Sequence, residues 1–158
     1  MAQSPRVERA GPAQLDAAAA LFQGYLRFYG KAVDPARSRA FIQARLEQRD
    51  SVILLAWPGD REQRERAIGF TQLYPAFASL SLASNWILND LYVEPDARGQ
   101  GVAKALMDAA RQLALHNGAA EIFLQTARDN APARALYEKL GYVQDQDFLV
   151  YTLALPRE

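Results

Sequence analysis

Residues 87–106 read Ile-Leu-Asn-Asp-Leu-Tyr-Val-Glu-Pro-Asp-Ala-Arg-Gly-Gln-Gly-Val-Ala-Lys-Ala-Leu, and the hydrophobic period changes inside this stretch. Trp86 to Val93 has the composition of a buried strand, and Glu94-Pro95 halts it. Arg98-Gly-Gln-Gly101 is a glycine-rich turn, after which Ala103, Leu106, Met107, Ala110, Leu113 and Ala114 recur on one helical face up to Asn117-Gly118. A strand that passes through such a turn into a helix leaves the first N–H groups of the helix without intrahelical partners. With the helix dipole they make an anion site suited to phosphate. Gly99 and Gly101 allow close backbone approach, Arg98 adds positive charge, and Lys104 lies in the first turn.

Two phosphate fingerprints fail here. GxGxxG needs glycine at position 104, where Lys104 stands, and GxxxxGK[ST] is absent from the chain. Arg98-x-x-Gly101-x-Ala103, of the form [QR]xxGx[GA], remains. The plain alternative is a glycine-rich turn with a solvated arginine.

Outward from this centre the chain alternates helical and extended patterns. A short apolar-alternating piece lies near Val7. Gly11-Pro12 opens a helix carrying Leu15, Ala18, Ala19, Phe22, Tyr25, Leu26 and Tyr29, and Gly30 caps it. Asp34-Pro35 starts a second, more exposed helix with Phe41, Ile42 and Leu46. Ser51 to Trp57 and Ala67 to Tyr74 form a strand pair joined by a charged hairpin loop, Arg61 to Arg66. Pro75 to Ser84 reads as loop or irregular edge. Glu121 to Thr126 is a strand, Asn130-Ala-Pro132 opens a helix that Gly141 ends, and two strands follow around Tyr142-Val143 and Phe148 to Leu155. The expectation is one α/β domain over residues 5–156: a twisted mixed sheet of six to seven strands, mostly antiparallel, flanked by four helices.

The 158 residues suit one domain with a core that needs no staple. Half are hydrophobic and 23% charged, a globular profile. Lys+Arg and Asp+Glu both number 18, so there is no basic excess for a nucleic-acid grip or an anionic membrane surface. The absence of cysteine excludes disulfides, thiolate nucleophiles, thiolate zinc sites and CxxC redox chemistry, and one histidine rules out His-rich metal sites, so no metal is expected. That histidine, His116, sits where a cation suits the end of a helix. No run of 18 apolar residues is present, and Met1 to Pro5 lacks a signal-peptide pattern, which makes a cytoplasmic location the default expectation.

The run Ile87 to Leu106 resembles the GNAT superfamily of acetyl-CoA-dependent N-acetyltransferases. A second match lies downstream in Asn130-x-x-Ala133-x-x-Leu136-Tyr137-x-x-x-Gly141-Tyr142. The element order fits the family from about Val7 to Leu155. The Asn-Asp-Leu-Tyr-Val form looks most like the branch containing the yeast histone and polyamine acetyltransferase.

The resemblance implies acetyl transfer from acetyl-CoA directly to a primary amine, whether of a small molecule, a polyamine or a lysine side chain. It implies that backbone groups of Leu91, Tyr92 and Val93 pair with the pantetheine arm, and that a bulge in this strand aims an N–H at the thioester carbonyl. The pyrophosphate would lie on N–H groups of Arg98, Gly99, Gln100, Gly101, Val102, Ala103 and Lys104. Asn130 and Ala133 match positions along the cofactor arm, although Asn130 is also a good helix N-cap. Tyr137 corresponds to the tyrosine that protonates the departing thiolate, and a phenol near 10 and a thiol near 8.5 are close enough for proton exchange. Packing of Tyr137 beside Ala133 and Leu140 is the alternative.

An alkyl ammonium with a pKa of about 10.4 must lose a proton before it attacks. In the polyamine acetyltransferases a glutamate precedes the strand aspartate; here that place holds Asn89, which cannot accept a proton. Asp90 is the nearest remaining carboxylate, either a base acting through water or a structural hydrogen-bonding group. The first two helices usually form one wall of the acceptor site, which brings in Tyr25, Phe28 and Tyr29 beside Asp34. These aromatics either hold an ammonium group or pack inward as core. A run such as Phe148 to Leu155 is either an ordinary central strand or a surface through which two copies pair. The rival reading from another class is a non-catalytic acyl-CoA-binding or sensor domain, kept open by Asn89 and opposed by Tyr137.

Overall fold

The computed structural model describes residues 4–60 and 66–157, so most of the expected loop Arg61 to Arg66 lies outside the described residues. The elements in chain order are β1 (Arg6–Arg9), α1 (Leu15–Phe28), α2 (Pro35–Gln48), β2 (Val52–Trp57), β3 (Gly69–Ala78), β4 (Ala83–Val93), α3 (Val102–His116), β5 (Ile122–Phe123) and α4 (Ala131–Lys139). The chain divides into two units, Met1–Gln125 and Thr126–Glu158.

In the first unit the strand order is β1-β2-β3-β4-β5. The first three pairings are antiparallel, and β4 pairs with β5 in parallel only at Trp86↔Ile122 and Ile87↔Phe123. The hairpin of β3 and β4 is longer than its sequence suggests. Pro75 to Ser84, expected as a loop, is strand as far as Ala78 and again from Ala83, with one short turn at Ser79–Ser81. Its small and polar residues pair normally because the ladder Pro75↔Trp86 to Ala78↔Ala83 supplies every extended residue with a neighbour.

The helices form where capping and periodicity agree. Gly11 receives the Gln14 side chain on its N–H at 2.7 Å, and Asp34 accepts from the Arg37 N–H at 3.0 Å at the start of α2. α1 buries Ala18, Ala19, Leu21 and Phe22 in a core that includes Ile42, Leu46, Ile53, Leu55 and Phe70. Phe70 meets Phe22 and Tyr25 edge-on at 6.4 and 6.0 Å. On the other face α3 buries Val102, Leu106, Met107, Ala110 and Ala114. No helix among the described residues is long and apolar enough to cross a membrane.

In the second unit Asn130 caps α4, and Gly141 follows it with φ +91°. The two strands expected at Tyr142-Val143 and Phe148 to Leu155 do not form, and Glu121 to Thr126 reduces to two residues. The described residues therefore hold five strands rather than six or seven. An apolar run is present in 148–155, but a strand also needs a ladder partner, and Phe148, Leu149, Val150, Tyr151, Leu153 and Leu155 are all exposed. Asp145 Oδ1 accepts from the N–H groups of Asp147 and Phe148 at 2.7 and 2.9 Å, an Asx turn that directs the chain locally instead.

Gly24 shows how closely α1 and β4 approach. A Cβ there would lie 2.7–2.8 Å from Oη, Cε1 and Cζ of Tyr92. Gly24→Ala gains about 1 kcal/mol of helix propensity but meets an overpacking penalty of about 1–3 kcal/mol. Urea unfolding should show a net loss of roughly 1 kcal/mol, and in a Tyr92→Leu background the same substitution should become neutral or stabilising.

Candidate active site

The turn after β4 has the geometry expected of an anion site. Gly99 and Gly101 adopt φ +75° and +79°, and nothing lies within 4 Å of the position a Cβ would take at either residue. Ala105 N–H donates to the Gly101 carbonyl at 3.0 Å as α3 begins, so the N–H groups of Val102, Ala103 and Lys104 precede the helical ladder. The cationic side chains, however, are engaged locally. Lys104 Nζ pairs with Asp108 Oδ2 at 2.6 Å. Arg98 donates from Nε to the Val93 carbonyl at 3.0 Å, and its guanidinium lies over the rings of Phe28 and Tyr92 at 5.3 and 5.9 Å. Gln100 Nε2 donates to the Asp96 carbonyl at 3.0 Å, which closes the turn on itself. The backbone N–H groups at the start of α3, more than the arginine, are thus the groups of this turn left without a local partner in the helical ladder.

Just before the turn, the β4 edge facing β5 is open. The parallel pairing stops at Ile87↔Phe123, so Leu88 to Val93 has ladder partners on β3 alone among the described strands. In the same segment the register slips. Gln72 faces Asp90, yet Leu73 faces Leu88, which leaves Asn89 as an unopposed bulge residue. This is the bulge that the resemblance called for.

The slip places Asp90 beside Gln72 on the face covered by α1. Asp90 is 3% exposed. Its Oδ2 accepts from Gln72 Nε2 at 2.6 Å and its Oδ1 from Asn89 Nδ2 at 2.9 Å, while the Tyr25 hydroxyl bonds the same carboxylate. Ser51 Oγ donates to Gln72 Oε1 at 2.9 Å and orients the amide. Burial raises the Asp90 pKa, and the hydrogen bonds from Gln72, Asn89 and Tyr25 offset only part of that shift. Burial and the Asp90 charge also push the Tyr25 phenol well above its ordinary value, and Tyr74 up to about 12.

The aromatic residues of α1 divide between core and surface. Tyr25 stacks toward the core at 6.1 Å from Phe22, then meets Tyr29 edge-on at 5.0 Å, and Phe28 meets Tyr29 at 5.2 Å. Phe28 and Tyr29 are exposed, so the row runs from core to surface. Asp34 is not part of this cluster: its side chain caps α2. Asn89 is exposed at the bulge. His116 ends α3 in its last turn.

Asn130, Ala133 and Tyr137 belong to the second unit. There the Asn130 side chain accepts from Ala133 N–H at 3.4 Å, and the rings of Tyr137 and Tyr142 lie 6.0 Å apart. Sequence reasoning missed Ser51, Gln72 and Tyr74. The available signal was Thr71-Gln72, two polar residues in a strand buried on both faces.

The model of the acetyltransferase (GNAT) family matches residues 18–142. An uncharacterized N-acetyltransferase of Bacillus subtilis (strain 168) is 44% identical over 150 residues, 95% of this chain and 97% of that protein. A crystal structure described as that of a probable acetyltransferase superimposes with a TM-score of 0.89 at 44% identity, covering 97% of this chain and 99% of that one. The thialysine N-epsilon-acetyltransferase of Bos taurus is 30% identical over 88 residues, 56% of this chain and 51% of that protein.

The buried carboxyl makes a stability prediction. An acid whose folded pKa is raised binds its proton more tightly in the folded than in the unfolded chain. Its contribution is therefore lost as pH climbs from the unfolded value, about 3.9, through the raised folded one. Asp90→Asn removes that decline. The Tm difference between Asp90→Asn and the unaltered chain should grow in favour of the variant as pH rises across this window, as followed by thermal unfolding at a series of pH values.

Proposed function

Because the chain belongs to the acetyltransferase (GNAT) family, we propose that it moves an acetyl group from acetyl-CoA directly to the primary amine of a polyamine, a lysine side chain or a small molecule. The observation that carries this reading is the open β4 edge, Leu88 to Val93, running into the turn at Gly99 and Gly101. An amide-bearing arm ending in a pyrophosphate needs such a pair of neighbours: first unpaired strand groups, then N–H groups at a helix start. Bound acetyl-CoA supplies an acetyl group activated as a thioester.

Leu91, Tyr92 and Val93 hold the arm through backbone groups in this reading, and the N–H groups from Gly99 to Lys104 hold the diphosphate. The bulge at Asn89 supports the N–H expected to polarise the thioester carbonyl. Asn130 and Ala133 complete the arm-binding positions, and Tyr137 gives its proton to the departing sulfur; the second family motif supports these roles. Asp90 takes a proton from the acceptor, and its burial supports this by raising its basicity. Asn89, exposed with its Nδ2 turned to Asp90, leaves its Oδ1 as an acceptor for an ammonium N–H. Residues 5–156 act as one catalytic domain in this account, supported by the family match across 18–142. An alkyl amine as acceptor agrees with the name of the bovine relative, whose thialysine substrate carries one. The Asn-Asp-Leu-Tyr-Val form further supports a polyamine or lysine acceptor.

Release of CoA thiol from acetyl-CoA near pH 8, across polyamines, lysine peptides, free amino acids and aminoglycosides, tests the reading. Turnover with one class is expected, and Tyr137→Phe should lower kcat by about 10²-fold or more with little change in CoA affinity. Binding of acetyl-CoA with no transfer to any amine would favour the sensor reading instead.

The turn is testable apart from chemistry. Gly101→Val forces a branched side chain to φ +79°, a strain of about 1–2 kcal/mol, and fills the space before the helix. Calorimetric titration should show CoA affinity reduced by at least roughly tenfold, with Tm lowered by no more than about 2–8 °C, as that strain requires in a domain of this length.

A further inference from the structure

Three groups close on the Asp90 carboxylate: the side-chain amides of Gln72 and Asn89 and the phenol of Tyr25. They are not equivalent as neighbours of a base. An amide N–H holds a carboxylate but does not pass a proton, because losing its hydrogen would leave a high-energy anion or imidic acid. A phenol can accept one proton on its oxygen while it gives up another. Gln72 is fully buried and held from behind by Ser51. With 3% of Asp90 exposed, the carboxylate has no broad contact with solvent through which an acceptor could reach it. Tyr25 is half-buried, and its neighbours Tyr29 and Phe28 carry the aromatic row to the surface.

We infer that Tyr25 is the relay through which Asp90 takes the proton of the acceptor amine. This inference rests on the acetyl-transfer reading above and assigns a reacting role to a residue of α1. In the step, Tyr25 Oη accepts a proton from the ammonium group as its own hydroxyl proton passes to the Asp90 carboxylate. One N–H bond and one O–H bond break and two O–H bonds form. The amine is left neutral with a free electron pair, Asp90 becomes a neutral acid, and Tyr25 is unchanged. Asp90 returns its proton to solvent by the reverse path once the product has left.

The surroundings agree with a charge-neutralising step. Tyr29 from α1 and Tyr74 from β3 act electrostatically on Tyr25, and Arg45 and Asp50 act on Tyr74; Gln72, Asn89 and Ser51 are uncharged. No cation stands among the hydrogen-bonding partners of Asp90 to hold it ionised. A buried carboxylate without a cationic partner gains from accepting a proton, which is what an ammonium acceptor offers.

The test compares amines by their own basicity. Tyr25→Phe keeps the ring and its stacking but removes the hydroxyl. At pH 8 it should lower kcat/KM about 10²-fold or more for an alkyl amine that is charged in solution. For a fluorinated ethylamine that is already neutral at that pH, the loss should be under about threefold, since no proton need be removed before attack. Asp90→Asn should show the same split, and the double variant should cost no more than either single one. A separate readout needs no turnover: infrared difference spectra of the CoA-loaded chain on addition of the alkyl amine. The carboxylic acid band of protonated Asp90 should appear in the unaltered chain and be absent from Tyr25→Phe.

Equal losses for charged and neutral amines, or a band that persists in Tyr25→Phe, would overturn the relay. Transfer unaffected by Tyr25→Phe would overturn the relay alone and leave acetyl transfer standing. Failure of the unaltered chain to acetylate any amine would remove both.

Discussion

The single-residue slip between β3 and β4 decides which face of the sheet each residue around the candidate site occupies. Residues directly opposite in an antiparallel ladder share a face, and Gln72 and Leu73 are on opposite faces of β3. Because Asp90 pairs with Gln72 and Leu88 with Leu73, two residues of β4 that would ordinarily lie on one side are divided between both. Leu88 joins the side of α3, and Asp90 joins Phe70 and Tyr92 beneath α1. The bulge thereby makes a buried acid of Asp90 and an exposed corner of Asn89. Both features of the candidate site, an exposed bulge residue and a carboxylate enclosed by donors, accompany one inserted residue.

That arrangement opposes stability. A buried carboxylate without a cation is costly unless it is hydrogen-bonded, and three donors meet the requirement here. The donors are themselves held: Gln72 by Ser51, Tyr25 by the rings of Phe22, Tyr29 and Phe70. The aromatic core of α1 and the polar cluster under it are therefore one packing unit. Gly24 belongs to it as well, since only a residue without a Cβ lets the Tyr92 ring lie against the helix. Arg98, stacked on Phe28 and Tyr92, joins this unit to the glycine turn that follows β4.

Local signals made part of this legible from residues alone. The turn at Gly99 and Gly101, the amphipathic α3, the N-caps at Asp34 and Asn130 and the breaks at Gly30 and Gly141 are all short-range, because each is set by backbone freedom or by a side chain three residues away. Non-local pairings were less legible. The Pro75 to Ser84 segment carries no strong strand composition, yet its position opposite a partner makes it strand. Phe148 to Leu155 has strong strand composition and no ladder partner, so it remains without strand structure. The roles of Ser51 and Gln72 depend on a cross-strand contact between residues 21 apart, which no periodicity encodes.

The sequence by itself determined the class of machine: a strand, a glycine turn and a helix whose unpaired N–H groups suit a diphosphate, with a second motif at Asn130 and Tyr137. These are determined locally because helix starts and positive-φ turns depend on a few adjacent residues. Only the tertiary structure decided that Asp90 is buried, that its partners are Gln72, Asn89 and Tyr25, and that Arg98 lies over the rings of Phe28 and Tyr92 rather than free beside the turn. The physical reason is that burial and partnership belong to the packing of distant segments, and a one-residue slip in a ladder moves a side chain from one face of a sheet to the other without changing a letter of the sequence.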